Sequence, residues 1–81
     1  MMKLVFRFPL QKGKSRDEDY EVASIPPVEE RLYANNQLIY KVIKITWEVD
    51  VDKKRCFPVV WLDACGEWDP DEPKYPQKYL A

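Results

Sequence analysis

The acidic residues near the C-terminus are the densest group of side chains that could do chemistry. They are Asp63, Glu67, Asp69, Asp71 and Glu72. Carboxylates at this density could bind Ca²⁺ or Mg²⁺ through their oxygen atoms, or share the acid–base work of a glycosidase. An EF-hand loop requires a glycine and no rigid prolines, so Pro70 and Pro73 argue against a calcium site of that type. A chain of 81 residues also rarely builds the catalytic cleft that a glycosidase needs. The alternatives are a solvated acidic surface and a contact for a basic partner.

Nucleophilic catalysis has no support in the composition, because the chain contains no histidine. Ser15 and Ser24 therefore lack the base of a Ser-His-Asp system, and Cys56 and Cys65 lack the histidine of a Cys-His pair. If residues 56–65 form one strand, the two sulfur atoms lie about 30 Å apart and cannot form a disulfide. We expect free, mostly buried cysteines in a reducing compartment, and a protein that is not an enzyme and uses no metal or cofactor.

The charged residues nearly cancel in number but are segregated along the chain. The formal net charge is −1, whereas residues 1–16 carry only basic groups and residues 17–30 only acidic ones. A protein held to nucleic acid by phosphate contacts normally has an excess of basic residues, so nucleic acid is the weaker candidate partner. The segregated charges either orient a partner protein or lie on solvated loops where opposite charges offset one another in the folded structure.

The apolar residues that must position these groups follow strand periodicity. Residues 2–10 alternate between apolar and polar side chains, which predicts a strand with one buried face. Further strands are expected at 20–25, 31–33, 37–52 and 56–65, separated by a loop over 11–19 and turns at Asn35-Asn36 and 52–55. Pro58 predicts that the last strand lies at an edge or contains a bulge.

The run over residues 37–52 changes its apolar phase midway. Tyr40 and Val42 share one parity, whereas Ile45, Trp47 and Val49 share the other. A flat strand cannot bury both sets on one face, so we predict a bulge near Val42-Ile43. Both sets, Trp47 included, are then expected in the core, and so is Trp61 of the last strand.

These elements predict an all-β fold. We expect an antiparallel meander of five to six strands that closes into a small SH3-like barrel or half-barrel over residues 1–65. Pro70, Pro73 and Pro76 recur at three-residue intervals, which predicts an extended Pro-rich tail over residues 66–81. Its aromatic residues either pack across the barrel or are presented to a partner.

One stretch resembles a known group of proteins. The matching residues are Pro26 to Glu30, Leu32-Tyr33, Asn35-Asn36, Tyr40, Val42, Ile45 and Trp47. Their order and spacing over residues 25–50 are similar to short SH3-like-barrel proteins of phages and mobile elements. Glu29 stands where glycine is usual in that pattern, and Asn36 replaces the glycine of the turn. The resemblance implies an accessory protein that blocks a host system by binding, and it implies no catalytic residues.

The sequence therefore predicts a non-enzymatic binding module that acts stoichiometrically. Its partner is expected to be a host protein complex in the bacterial cytoplasm, such as a defence system. The alternatives are capture of a small ligand, homo-oligomerisation, and nucleic-acid binding through the basic N-terminal strand and loop. Lys3 and Arg7 interrupt the N-terminal apolar residues, so no membrane segment is expected. The candidate partner-binding residues are Lys12, Lys14, Arg16, Glu67, Trp68, Asp69, Asp71, Glu72, Tyr75 and Tyr79.

Overall fold

The computed structural model describes residues 1–68, which form one five-stranded β-sheet. The strands are β1 (Met2–Pro9), β2 (Ser15–Val22), β3 (Arg31–Tyr33), β4 (Leu38–Asp50) and β5 (Arg55–Glu67). Their order across the sheet is β2-β1-β5-β4-β3. The predicted all-β class and strand number are confirmed. The predicted antiparallel meander is wrong, because β5 inserts between β1 and β4 and runs parallel to β1, so the curved sheet is a mixed half-barrel.

The first hairpin is longer than predicted. Residues 11–19 were expected to form a loop, but β2 starts at Ser15 and pairs with β1 along its whole length, from Met2 opposite Val22 to Pro9 opposite Ser15. A short 3₁₀ turn over residues 11–13 connects the strands, with Lys12 and Gly13 both in the left-handed region. Sequence periodicity did not reveal the first half of β2, because this edge strand has charged residues at most of its positions.

Alternation along β1 builds the core. Leu4 and Phe6 are fully buried on one face of the sheet, which we call the core face. The side chains that join them there are Val22, Leu32, Tyr40, Val42, Val60 and Leu62. Phe8 and Tyr20 pack against this cluster, and Phe8 meets Tyr40 edge-to-face with 5.1 Å between ring centroids. Leu10, predicted to share this face, lies exposed in the turn after the strand.

The predicted bulge in the long strand is confirmed. Val42 pairs with Leu62 and Lys44 pairs with Trp61, which leaves Ile43 as the extra residue. Ile43 is 46% exposed, and its insertion lets Val42 and Ile45 both face the core despite their opposite sequence parity. The β3–β4 hairpin has a three-residue loop over 35–37 instead of the expected two-residue turn, because Gln37, with φ of 70°, takes the left-handed position.

Two expectations about β5 are wrong. Pro58 is buried in the central strand and not at an edge or bulge. It is tolerated because the ladder with β1 begins only at Val59. Cys56 and Cys65 are free, as predicted, but they are exposed, since each lies where β5 extends beyond its ladder with β1.

Candidate functional site

The face of the sheet opposite the core carries a connected polar cluster, which we call the outer-face cluster. Its members are Arg7, Asp17, Lys44, Thr46, Glu48 and Trp61. Arg7 donates two hydrogen bonds of 2.8 Å to Asp17 on β2. It donates two more, of 2.9 and 3.2 Å, to Glu48 on β4. One guanidinium group therefore joins β1 to both β2 and β4, across the intervening strand β5.

Trp61 on β5 lies beneath these charges. The Arg7 guanidinium carbon is 4.4 Å from the Trp61 ring centroid, and the Lys44 Nζ atom is 4.0 Å from it. The indole N–H donates a 2.9 Å hydrogen bond to Thr46 Oγ1, and the Thr46 hydroxyl donates to Glu48 at 3.4 Å. The ring is thus fixed in position by its neighbours. The prediction that Trp61 belongs to the core is wrong, since it is half-buried on the outer face.

The electrostatics of this cluster stabilise its charged forms. Hydrogen bonding from Arg7 lowers the pKa of the Asp17 carboxyl below its ordinary value. Hydrogen bonding to Asp17 and Glu48 raises the pKa of Arg7 above its ordinary value. Both pKa shifts favour the charged forms of Arg7 and Asp17. The arrangement ties four strands together.

A shallow pocket lies on the same face, where β1–β2 and β5 diverge. It has a volume of about 100 Å³ and is lined by Lys3, Leu4, Val5, Asp19, Arg55 and Phe57. Sites for metabolite- or drug-sized ligands usually measure about 300–1,000 Å³. This pocket is too small for a nucleotide.

The second feature of interest is the outer backbone edge of β4. β3 pairs with β4 only from Ile39 to Lys41. The backbone of Val42 then bonds to Glu29 and Glu30. Beyond that point no strand in residues 1–68 covers this side of β4, although β5 continues to pair on the other side as far as Asp50. We call residues 44–50 of β4 the open edge.

The side chains of the open edge alternate between apolar and polar. Trp47 and Val49 point to the core-face side and are 59% and 67% exposed, and Val51 just beyond them is 78% exposed. Lys44, Thr46, Glu48 and Asp50 occupy the outer face. The prediction that Trp47 and Val49 belong to the core is wrong, because the β4–β5 hairpin extends past the strands that would cover them.

The opposite edge of the sheet differs sharply in composition. β2 carries charged side chains at five of its eight positions. Charged edge strands resist pairing with another strand, whereas exposed apolar edges promote it. The chain thus protects one edge and leaves the other suited to pairing. Sequence periodicity missed the open edge, although the difference in length between β4, with 13 residues, and its partner β3, with 3, was a usable signal.

Five of the ten predicted partner-binding residues lie in the described part of the chain. Lys12 and Lys14 are exposed in the β1–β2 turn, whereas Arg16, assigned to the same loop, is in β2 and forms a 3.2 Å ion pair with Glu18. Because β1 and β5 run parallel, Glu67 at the end of β5 lies towards the same end of the sheet. Of the remaining predicted residues, those at positions 69, 71, 72, 75 and 79 lie outside the described part of the chain.

Trp68 is half-buried at the end of β5. Its backbone N–H donates to Gln37 O at 3.0 Å, and its indole N–H donates to Ala34 O at 2.7 Å. Its ring meets Tyr33 edge-to-face at 5.5 Å. These contacts attach Trp68 to the β3–β4 turn. Trp68 therefore lies at the opposite end of β4 from Trp47.

Two further findings concern what residues 1–68 do not contain. No three Asp, Glu or Cys side chains in this range come together in a group that could hold a metal ion. The same range contains no helix long and apolar enough to cross a membrane. No protein-family model, no curated protein and no solved structure matches this chain.

Proposed function

We propose that this protein is a non-enzymatic binding module that recognises a protein partner by adding a β-strand to the open edge of β4. The observation that carries the proposal is a seven-residue stretch of edge, with exposed Trp47 and Val49, that no strand in residues 1–68 pairs with. In strand addition the backbone hydrogen bonds provide affinity, and the alternating side chains provide specificity. Trp is also among the residue types that contribute most to binding energy at interfaces.

The outer-face cluster supports this function by holding the edge in place. Thr46 and Glu48 lie within the open edge, and both are hydrogen-bonded through Trp61 and Arg7 to the strands behind it. An edge that is already ordered loses little conformational entropy when a strand binds. The sheet thus presents the edge in its bound conformation.

The resemblance of residues 25–50 to SH3-like-barrel proteins of phages and mobile elements supports a setting for this activity. In that setting the module acts stoichiometrically in the bacterial cytoplasm, on a host complex such as a defence system. Capture of a small ligand is the less favoured function, because the described pocket is small.

Nucleic-acid binding is also less favoured. Arg7, the central basic residue of the N-terminal strand, is engaged by two carboxylates, and Arg16 pairs with Glu18. The Trp61 ring, which could stack on a base, already has two cations over it. An electrophoretic mobility shift of single-stranded DNA or RNA that is lost when Lys12, Lys14 and Arg16 are replaced by alanine would support that alternative. No shift with the wild-type protein at low salt would eliminate it.

The proposed function is tested by affinity capture from a bacterial lysate with three immobilised proteins. They are wild type, an edge variant carrying Trp47→Lys and Val49→Lys, and a control carrying Leu10→Lys. All substitutions replace exposed apolar side chains, so folding should be preserved. We expect wild type and control to retain a partner identified by mass spectrometry, either a lysate protein or a tagged second copy of this chain added to the lysate, and the edge variant to lose it. Equal retention by all three would contradict the proposal.

A further inference from the structure

We propose that the strand bound by the open edge is β4 of a second copy of this chain, which makes the protein a two-fold symmetric dimer with one continuous sheet. This inference rests on the proposed function, because it names the strand that the same edge binds. The observation behind it is that the open edge is complementary to itself in charge and in apolar character.

The length of the open edge determines the register. Val42 is already bonded to the chain before β3, and the β4–β5 turn begins at Val51. Ile43 is the bulge residue, so the stretch left between them is the open edge, and an antiparallel pairing that uses all of it is centred on its midpoint, Trp47. A centre one residue earlier would place Asp50 of the second copy against Val42, where the edge is covered.

This register pairs opposite charges at both ends. Lys44 and Asp50 are each three residues from Trp47, so Lys44 of one copy lies opposite Asp50 of the other, and two-fold symmetry generates this pair twice. Directly opposite residues on antiparallel strands lie on the same face with their Cβ atoms about 5 Å apart. Oppositely charged pairs at that distance favour the register, whereas like charges there oppose it.

The apolar side chains match in the same register. Ile45 lies opposite Val49 of the second copy, and the two Trp47 side chains lie opposite each other on the core-face side. Pairs of β-branched residues and pairs of aromatic residues are both favourable across strands. Dimerisation therefore covers the exposed apolar residues at the centre of the edge.

The composition of the other edge limits the assembly to two copies. An isologous two-fold interface uses the same patch on both copies and closes. The outer edge of the dimer is then β2 at both ends, and its charged residues disfavour further strand pairing. A closed dimer is therefore expected instead of a filament.

The dimer is tested by charge reversal on the full chain, followed by sedimentation equilibrium from about 1 to about 500 µM, since an interface of this small size is expected to be weak. Wild type should approach twice the monomer mass. Lys44→Glu and Asp50→Lys each place like charges opposite one another twice. Each variant alone should therefore dimerise at least about tenfold more weakly than wild type.

An equimolar mixture of the two variants gives the decisive measurement. In a mixed dimer the introduced carboxylate faces the introduced ammonium group, and the native Asp50 faces the native Lys44. Dimerisation should therefore return to near the wild-type level. Lys44→Glu also removes the contact with Trp61, but that loss persists in the mixture and cannot explain recovery. Lys12→Glu and Asp19→Lys, at exposed sites away from the edge, should dimerise like wild type alone or mixed.

Three outcomes would overturn the dimer. Wild type could remain monomeric at all concentrations, dimerisation could be unaffected by both reversals, or the mixture could fail to recover. If wild type is monomeric but lysate capture still depends on Trp47 and Val49, the edge binds the strand of another protein. The proposed function would then stand while the dimer is excluded.

Discussion

Arg7 stabilises the sheet through the geometry of its guanidinium group and not through charge alone. Its side chain is only 16% exposed, and its planar fork pairs with Asp17 on one side and Glu48 on the other. Bidentate pairs of this kind are stronger and more directional than single ion pairs. Lysine keeps the charge but cannot make parallel hydrogen bonds to two carboxylates.

Replacing Arg7 by lysine should therefore lower the free energy of unfolding by about 1–2 kcal/mol, reduced from the value for a buried pair because both carboxylates are partly exposed. Urea denaturation followed by far-UV circular dichroism measures the loss. The matched control is Arg16→Lys, since Arg16 is 57% exposed in its single ion pair, and it should change stability by less than about 0.5 kcal/mol. Equal losses at both positions would show that the fork geometry contributes nothing.

Glu29 adopts a backbone conformation that favours glycine. Its φ is 79°, in the left-handed region. The backbone N–H of Glu29 donates to Val42 O at 2.8 Å, and its carboxylate pairs with Lys41 at 2.7 Å. These contacts hold a glutamate in a conformation that costs it energy.

The bulge at Ile43 corrects the phase of β4. Without the extra residue, Lys44 would directly follow Val42 and alternation would continue, with Val42 and Ile45 still on the core face and Lys44 still on the outer face. The sequence needs the bulge because it contains one residue more than regular alternation allows. A deletion at this position should therefore preserve both halves of the ladder with β5.

Deleting Ile43 should leave a folded protein that is less stable by about 1–2 kcal/mol through lost curvature. Deleting Thr46 should cost more, because it moves Trp47 to the outer face and removes the hydroxyl that binds the Trp61 indole. Amide dispersion in NMR spectra together with urea midpoints would distinguish the two deletions. If both proteins unfold alike, the bulge supplies a required bend and not merely a phase correction.

The elements show which features a sequence can predict. Alternation in β1 and the phase change in β4 are local, because side chains two residues apart share a face, and both predictions held. The parallel pairing of β1 with β5 could not be derived in this way, since it joins Val5 to Val59 and depends on which strand enters the centre of the sheet. The exposure of Trp47 followed from the same non-local arrangement, because none of the five strands in residues 1–68 extends over it.

At the scale of the whole molecule, the sheet is asymmetric in a way that links stability to association. One outer strand, β3, pairs with β4 only from Ile39 to Lys41, and the other, β2, is charged and pairs with β1 along its whole length. Within residues 1–68, folding into this half-barrel therefore leaves Trp47 and Val49 exposed at an edge where a further strand would cover them. If that strand comes from a second copy, folding and dimerisation are thermodynamically coupled.

This coupling predicts that the melting temperature depends on protein concentration. Above the dissociation constant, each tenfold rise in concentration adds about 1.4 kcal/mol to the stability of a folded dimer relative to two unfolded chains. For two domains of this size we expect the melting temperature to rise by about 3–5 °C for each tenfold step. Differential scanning calorimetry over two decades of concentration measures it.

The edge variant Trp47→Lys with Val49→Lys separates this effect from ordinary stability. It should melt at a temperature independent of concentration, whereas Leu10→Lys should shift like wild type, because Leu10 lies in the β1–β2 turn, away from the open edge. The charges that the variant adds lie on solvent-exposed positions, so its monomer should be about as stable as that of the control. A melting temperature that rises equally in all three proteins would place the association on a surface other than the edge of β4.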